Sequence, residues 1–260
     1  MKAPGKRALR VFRTKEALDG FMAWEWTVAC RRAVARSGRF TAALSGGTTP
    51  VSFYVRLAAP GRGLPWDRTY IFQADERCVP SDHPDSNFGL IESKLLRHIP
   101  IPQENIYAVR AELGPEAAAA EYDARLRDFF GSTNGEIPRF DLILLGMGED
   151  GHTASLFPGD AALAETRHLA AAVARAAPDH DRVTLTLPVI RAARVVAFLV
   201  AGANKAAVLK SVIDAPEKGP PAALARSSAG RTFYLVDQEA GSRLSSREQR
   251  SAGERVHVLQ

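Results

Sequence analysis

Short apolar segments bounded by turn residues alternate along this chain with longer segments rich in alanine, leucine, glutamate and arginine. A short apolar run is typical of a strand, and a longer run of good helix formers is typical of a helix. This alternation predicts an α/β fold, layered α/β/α with a largely parallel central sheet. The predicted strands are 40–44, 69–72, 140–145, 183–187, 195–200 and 232–236, and the predicted helices are 15–37, 87–98, 115–130 and 204–214.

The length of 260 residues is enough for one large core without disulfides or metal, because a chain of this size buries roughly 70–75% of its unfolded surface. We expect a single domain over residues 1–240, followed by a polar tail at 241–260. The longest apolar stretch, 195–203, contains a glycine and is too short to cross a bilayer. With no apolar segment behind the basic start, we expect a cytoplasmic protein without a membrane partner.

The net charge of +5 invites a nucleic-acid interpretation, but the position of the charge argues against it. Six of the 34 lysines and arginines precede Glu16, the first acidic residue, so 28 basic residues face 29 acidic ones in the rest of the chain. Nucleic-acid binding needs basic residues clustered on a folded face. A basic terminal segment is more typical of a solvated end, so we expect no nucleic-acid partner.

The chain has two cysteines, Cys30 and Cys78, which lack a CxxC spacing and lack histidines at the spacing of a zinc site. Isolated thiols of this kind fit a reducing compartment and a packing role. A catalytic role for Cys78 is a minor alternative.

Polar residues follow three of the predicted strands, where open α/β sheets bind their ligands. The first group, Ser45-Gly46-Gly47-Thr48-Thr49-Pro50, follows strand 40–44 and leads into a helical run. Paired glycines let backbone amides approach an anion, and a helix N-terminus favours negative charge. A tight turn before a capped helix explains the same residues, and the motif alone does not decide between the two.

The second group follows strand 69–72 and contains Asp75, Glu76 and Arg77. A carboxylate pair can orient hydroxyls while the guanidinium binds a phosphate or developing negative charge. A salt bridge within the loop is the alternative. Asp82, His83 and Asp85 suggest a metal, but the prolines at positions 80 and 84 favour a turn.

The third group, residues 146–159, follows strand 140–145 and includes a GxGxxG pattern at Gly146, Gly148 and Gly151. A dinucleotide site would need a full helix next and an acid ending a second strand, but Pro158-Gly159 stops the helix early. What remains is Asp150 beside His152 at a strand end. A single histidine is often structural, but this position favours a catalytic one. Neither GxSxG, Walker A nor HExxH occurs.

Taken together, LSGGTTP, ADERCVP followed by DHPDSN, and FDLILLGMGEDGHTASLFPG resemble the 6-phosphogluconolactonase family, in order from about residue 10 to about residue 240. The resemblance implies a NagB/RpiA-like fold. It also implies hydrolysis of 6-phospho-D-glucono-1,5-lactone to 6-phospho-D-gluconate in the oxidative pentose phosphate pathway, without metal or cofactor. The related glucosamine-6-phosphate deaminases resemble DGHIAFNEP, with a glutamate where this chain has Phe157, and DEY in place of DER. A non-catalytic sugar-phosphate sensor is a third hypothesis.

The resemblance also implies roles for residues. His152 would activate water as a general base, and Asp150 and Asp75 would orient it or hold sugar hydroxyls. Taken alone, Arg182 and Lys205 would be interpreted as solvated surface charges, and only the resemblance places them at the phosphate. The substrate-binding residues so predicted are Ser45, Gly46, Gly47, Thr48, Arg77, Asn87, Gly148, Gly151, Arg182 and Lys205.

Glu149 departs from the family pattern, which commonly has proline or a small residue there. A carboxylate pointing inward would raise the pKa of His152 and slow the enzyme at lower pH. The expected partner is a small sugar phosphate, and the expected state is a monomer or weak homo-oligomer.

Overall fold

A seven-stranded sheet, parallel throughout, forms the centre of the molecule. The computed structural model describes residues 5–133, 135–215 and 218–245. The strands are β1 Lys6–Phe12, β2 Phe40–Leu44, β3 Thr69–Gln73, β4 Asp75–Arg77, β5 Ile106–Tyr107, β6 Leu142–Leu145, β7 Ala170–Val173, β8 Arg182–Leu185, β9 Val195–Val200 and β10 Arg231–Asp237. The helices are α1 Lys15–Ser37, α2 Val51–Ala58, α3 Asn87–Lys94, α4 Pro115–Phe130, α5 Leu187–Ala192, α6 Ala206–Asp214 and α7 Pro221–Leu224.

The main sheet has the order β1-β10-β9-β6-β2-β3-β5. From β2 the chain proceeds to β3 on one side, whereas from β6 it proceeds to β9 and β10 on the other side. The strand order therefore reverses between the adjacent strands β2 and β6. In open α/β sheets, the crevice beyond the carboxyl ends at such a reversal is the favoured place for a ligand.

Both faces of the sheet are buried, which explains the near-continuous apolar runs in its strands. Alternate residues of β6 enter different cores. Leu142 and Leu144 pack with α1 and α2, including Trp26 and Phe53, whereas Ile143 and Leu145 pack with α4, α6 and a small second sheet. This arrangement confirms the predicted α/β/α layers.

The local sequence sets the ends of the two longest helices. The Thr14 side chain accepts a hydrogen bond from the Ala17 N–H at the start of α1, and Gly38 ends it in the left-handed conformation. Helix α4 begins with Pro115 and ends before Gly131, which is also left-handed. Both helices have the predicted bounds. Helix α3 is shorter than predicted and ends at Lys94, and residues 96–98 form a separate 3₁₀ turn.

The second sheet is antiparallel, with the order β4-β8-β7. The predicted strand at 183–187 corresponds to β8, but its end was wrong. Strand β8 stops at Leu185, and Leu187 begins α5. An apolar run does not reveal which sheet a strand joins. The small sheet matters for function because β4 and β8 extend the wall of the crevice.

The ends of the chain also differ from expectation. The basic segment predicted to be a solvated end is the edge strand β1, which pairs with β10 along its whole length. Gly241 and Leu244 are buried, so the packed chain continues past residue 240. The rest of the predicted tail, from residue 246, lies outside the described residues. Within the described residues, no helix combines the length and the apolar character that a membrane span requires.

Candidate active site

A cleft of about 410 Å³ opens at the carboxyl ends of β2 and β6. All the sequence-predicted site residues except Asp150 and Gly151 line it. The lining residues are Ser45, Gly46, Gly47, Thr48, Thr49, Pro50, Asp75, Arg77, Asn87, Gly146, Met147, Gly148, His152, Thr153, Ala154, Arg182, Ala201, Asn204 and Lys205. The topology thus brings together side chains from the three predicted loops, from β8 and from the turn before α6.

The loop after β2 leads directly into α2, as the sequence predicted, with Pro50 in the position before Val51. The Ser45 hydroxyl donates to the Leu144 carbonyl at 3.0 Å, and the Tyr54 hydroxyl donates to the Ser45 carbonyl at 2.6 Å. Ser45 therefore joins β2 to β6. Gly46 packs so closely on Asn87 that an added Cβ would overlap the amide group. Within the described residues, no hydrogen bond uses the backbone N–H groups of Gly46 and Gly47, which leaves them available to an anion.

The two neighbouring carboxylates of the second loop have different surroundings. The Ser155 hydroxyl donates to Asp75 Oδ2 at 2.8 Å, and the buried Asp75 side chain lines the cleft. Glu76 accepts hydrogen bonds from the backbone N–H groups of Asn87 at 2.8 Å and Phe88 at 2.7 Å. Burial raises the pKa of Glu76 although these bonds oppose the rise. Glu76 holds the start of α3, so of the two predicted carboxylates only Asp75 lines the cleft.

Two arginines stand opposite each other in the antiparallel pair of β4 and β8, where Arg77 is the register partner of Arg182. Like charges directly opposite are unfavourable unless other groups compensate them. Arg77 Nη1 donates to the Asp85 carbonyl and to Asn87 Oδ1, each at 2.8 Å, and Arg182 Nη2 donates to Asp179 Oδ1 at 2.6 Å. In both arginines the buried Nε lacks a hydrogen-bond partner within the described residues. The pair is therefore incompletely satisfied and suited to an anion.

Asp179 anchors Arg182. Burial alone would raise the pKa of the Asp179 carboxyl. Hydrogen bonds from Arg182, the His180 backbone and Arg175 outweigh burial and lower this pKa to about 2. The carboxylate is therefore ionised throughout the physiological pH range. It fixes one edge of the Arg182 guanidinium and leaves the rest of the group to the cleft.

His152 and Asp150 form a pair at the end of the β6 loop. The distance from His152 Nδ1 to Asp150 Oδ1 is 2.6 Å, and the same oxygen accepts the His152 backbone N–H at 3.0 Å. Partial burial would raise the pKa of Asp150, but the hydrogen bonds from His152 and its charge outweigh burial and lower it. This pair leaves Nε2 as the ring nitrogen available to a ligand. Asp150 supports the imidazole without lining the cleft.

Gly148 allows this pair to form. A Cβ at that position would overlap Nδ1 and Cε1 of His152 and would lie 2.6 Å from Asp150 Oδ1. The Gly148 N–H is used by the His152 carbonyl at 2.9 Å, and the Gly151 N–H is used by the Gly148 carbonyl at 3.1 Å. These two amides therefore shape the loop and are not free donors. Gly151, a predicted substrate-binding residue, does not line the cleft, and an added Cβ there would overlap Pro220.

Phe157 supports the other side of the imidazole. The rings of His152 and Phe157 have centroids 4.4 Å apart, and the Arg175 guanidinium carbon lies 3.9 Å from the centroid of Phe157. Phe157 entered the sequence analysis only as the residue that replaces a glutamate. Its role as a platform for His152 could not be inferred, because Arg175 comes from a segment that carried no motif.

Other residues of the cleft were also missed by the sequence analysis. Asn204 lines it and donates to Glu149 Oε1 at 2.6 Å, so the Glu149 carboxylate is engaged across the cleft with the turn before α6. Asn204 immediately precedes Lys205, which is a predicted site residue. This neighbouring position was the only sequence signal that could have indicated Asn204. The buried Ser155 belongs to the quoted motif DGHTAS, but only the fold shows that it holds Asp75.

The two cysteines are free, and burial raises the pKa of each thiol to about 11. Because the thiolate is the nucleophile, neither cysteine has the reactive form at neutral pH. Within the described residues, one group of three side chains has the donor atoms and proximity to bind a metal ion, and it lies outside the cleft.

Comparison with known proteins places the chain in a family. A family described as glucosamine-6-phosphate isomerases/6-phosphogluconolactonase matches residues 13–234. A 6-phosphogluconolactonase of Nostoc sp. is 44% identical over 216 residues, which cover 82% of this chain and 88% of the relative. The human 6-phosphogluconolactonase is 40% identical over 252 residues, covering 94% and 96%. The structure of 6-phosphogluconolactonase from Trypanosoma cruzi superposes with a TM-score of 0.83 at 28% identity, covering 94% and 99%. This chain therefore belongs to the glucosamine-6-phosphate isomerase/6-phosphogluconolactonase family.

Proposed function

We propose that this protein hydrolyses 6-phospho-D-glucono-1,5-lactone to 6-phospho-D-gluconate, with His152 as the general base. The observation that carries the proposal is the Asp150–His152 pair, which holds the imidazole at the wall of a cleft that also contains two facing arginines. The relatives that match most of the chain are 6-phosphogluconolactonases. The activity of these relatives and the side chains of the cleft therefore support the same reaction.

The Asp150 carboxylate accepts a hydrogen bond from the Nδ1–H of His152, so the lone pair of the neutral imidazole is on Nε2. There it takes a proton from a water molecule, and the hydroxide oxygen forms a bond to the lactone carbonyl carbon. The resulting tetrahedral intermediate collapses with cleavage of the bond to the ring oxygen. The imidazolium returns its proton to that oxygen, which gives the carboxylic acid and a free hydroxyl group. Positioned acid–base groups of this kind contribute about 10²- to 10⁴-fold.

The remaining cleft residues divide into three tasks. The N–H groups of Gly46 and Gly47, which make no hydrogen bond to another described residue, are the candidates for binding the oxyanion of the intermediate. Those of Gly148 and Gly151 are used within their loop. Asp75, held by Ser155, is placed to accept hydrogen bonds from sugar hydroxyls. Arg77, Arg182 and Lys205 supply positive charge for the phosphate. Thr48 supplies a hydroxyl donor, and Asn87 supplies its side-chain amide.

Phe157 argues against the deaminase alternative. Its ring lies against His152. The related deaminases described above have a glutamate at this position, which would assist ring opening. An apolar platform cannot exchange protons, so the imidazole acts with Asp150 alone. The sensor hypothesis predicts binding without turnover and is separated from the lactonase by the same assay.

The test of the proposed function is the rate of lactone loss, with the lactone generated in situ and spontaneous hydrolysis subtracted. We expect a rate well above the uncatalysed background and no ammonia release from glucosamine 6-phosphate. A rate equal to the background would overturn the lactonase assignment. Ammonia release would then support the deaminase, and binding of 6-phosphogluconate without turnover would support the sensor.

A Gly148→Ala substitution is expected to lower kcat by about 100-fold, because displacing a catalytic group by roughly 1 Å can cost that much. The new methyl group would overlap the His152 ring. The matched control is Gly20→Ala in α1, where an added Cβ meets nothing within 4 Å. Steady-state kinetics of both variants, with unfolding curves to verify the fold, make the comparison. A Gly148→Ala enzyme with the wild-type kcat would show that the position of the imidazole is not critical.

The proposed state is a monomer or weak homo-oligomer that acts on a small sugar phosphate in the cytoplasm, without nucleic-acid or membrane partners. Two free thiols are consistent with a reducing compartment. The near balance of charge after residue 15 gives little attraction to a polyanion.

A further inference from the structure

His83, Asp85 and His180 form a cluster outside the catalytic cleft. One ligand atom from each lies within 4.8 Å of the other two. His180 Nε2 is 3.2 Å from Asp85 Oδ2, and His83 Nδ1 is 3.8 Å from the same oxygen. His180 is 95 residues from Asp85 in sequence. From the sequence, Asp82, His83 and Asp85 suggested a metal, but the prolines at positions 80 and 84 favoured a turn. His180 is too far along the chain to have entered that argument.

We propose that His83, Asp85 and His180 form a binding site for one Zn²⁺ ion. Two imidazole nitrogens and one carboxylate oxygen suit zinc and similar first-row divalent ions, whereas Mg²⁺ and Ca²⁺ prefer oxygen ligands throughout. Tetrahedral zinc places its nitrogen and oxygen ligands about 3.4 Å from one another. The distances from Asp85 to both histidines are close to that value, so modest rotations of the side chains complete the site. Water occupies the remaining coordination position.

The backbone around the cluster is already organised. The His83 N–H donates to the Pro80 carbonyl and the Ser86 N–H donates to the His83 carbonyl, each at 3.0 Å. The Cys78 N–H donates to the Asp181 carbonyl at 2.7 Å, which joins the two segments that carry the histidines. Holding the ligands near their bound positions lowers the entropy cost of metal binding. His83 Nδ1 accepts the Asp85 N–H at 3.1 Å, and zinc binding through that nitrogen exchanges this hydrogen bond for a coordinate bond.

The cluster is also accessible from solvent. The side chains of His83, Asp85 and His180 are 37%, 57% and 35% exposed. The Asp85 carbonyl accepts from Arg77, and Asp179, next to His180, accepts from Arg182. A bound ion therefore ties together the two loops that hold partners of the cleft arginines, at a place separate from His152.

The test uses full-length protein without a histidine tag, stripped with a chelator, and titrated calorimetrically with ZnCl₂. We expect one equivalent to bind and, at a hundredfold excess over Kd, a rise in Tm of roughly 5–10 °C. Titration with Co²⁺ should give a visible d–d absorption band from nitrogen and oxygen ligands. Loss of an outer partner of a metal ligand costs about 10- to 100-fold in affinity, so losing a ligand in His83→Gln or His180→Gln should cost at least about 100-fold.

The control is His98→Gln, which removes an exposed histidine that contacts the Ser93 carbonyl, and it should bind zinc like the wild type. His152→Gln should also bind normally, which distinguishes this site from the catalytic pair whatever the outcome for the proposed reaction. The proposal is overturned if the wild type binds no zinc at one equivalent, or if binding survives His180→Gln. Binding that is lost in His152→Gln and kept in His180→Gln would assign the metal to the cleft instead.

Discussion

Replacing His152 by glutamine is expected to lower kcat/KM for 6-phospho-D-glucono-1,5-lactone by about 10²- to 10⁴-fold, the range that a positioned general base contributes. Glutamine keeps polarity and approximate size but cannot take a proton from water. The binding groups of the cleft remain, so kcat falls and KM changes little. The measurement is lactone loss for wild type and variant side by side, each corrected for spontaneous hydrolysis.

The Asp150→Asn variant tests whether His152 acts as a base or has only a structural role. The amide can still contact Nδ1, but it removes the negative charge that stabilises the imidazolium after proton transfer. We therefore expect a smaller loss of kcat/KM than in His152→Gln. If both variants retain wild-type rates while remaining folded, His152 is not the base. Water must then be activated by another carboxylate of the cleft, with Asp75 the first candidate.

Much of the cleft could be predicted because its loops follow strands whose order the fold class constrains. The loop of Ser45 and the loop of His152 come directly after apolar runs, and parallel strands bring such ends to one edge. Asp75 and Arg77 follow the next strand along the chain. The paired glycines, the Asp–His pair and the family resemblance then identified the residues that line the cleft.

What could not be predicted depends on contacts between distant segments. Strand β1 contains three basic residues in its seven positions, Lys6, Arg7 and Arg10, and this charge disguised an edge strand that pairs with β10. Edge strands commonly carry charge because one side faces solvent. The short β4 had no distinctive pattern, and the apolar run that predicted β8 did not indicate its antiparallel partners. The support of Phe157 by Arg175 depends on a turn without a motif. The periodicity of apolar residues indicates which face of a segment is buried, but it does not indicate which other segment packs against that face.

Replacing Arg182 by glutamine is expected to raise KM for the phosphorylated lactone by about 10- to 100-fold with little change in kcat. Hydrogen bonds to charged groups contribute about 1.5–3 kcal/mol, and each 1.4 kcal/mol is a factor of ten. Arg182 faces Arg77 across β4 and β8, and its Asp179 contact fixes one edge of the guanidinium. Its buried Nε has no hydrogen-bond partner among the residues that the structure describes. These features are those of a guanidinium placed for an anion that arrives with the substrate.

The comparison that decides the role of Arg182 uses glucono-δ-lactone, which lacks the phosphate. If the guanidinium binds phosphate, the variant loses discrimination between the two lactones and its rate with the unphosphorylated one is unchanged. Arg191→Gln, an exposed arginine in α5, is the matched control and should behave like the wild type. The Arg182 guanidinium carbon also lies 5.5 Å from the centroid of the Phe157 ring. Equal losses with both lactones would mean that Arg182 supports the wall of the cleft, through Asp179 and Phe157, and that Arg77 and Lys205 hold the phosphate. The two outcomes differ because only a phosphate contact depends on the presence of the phosphate.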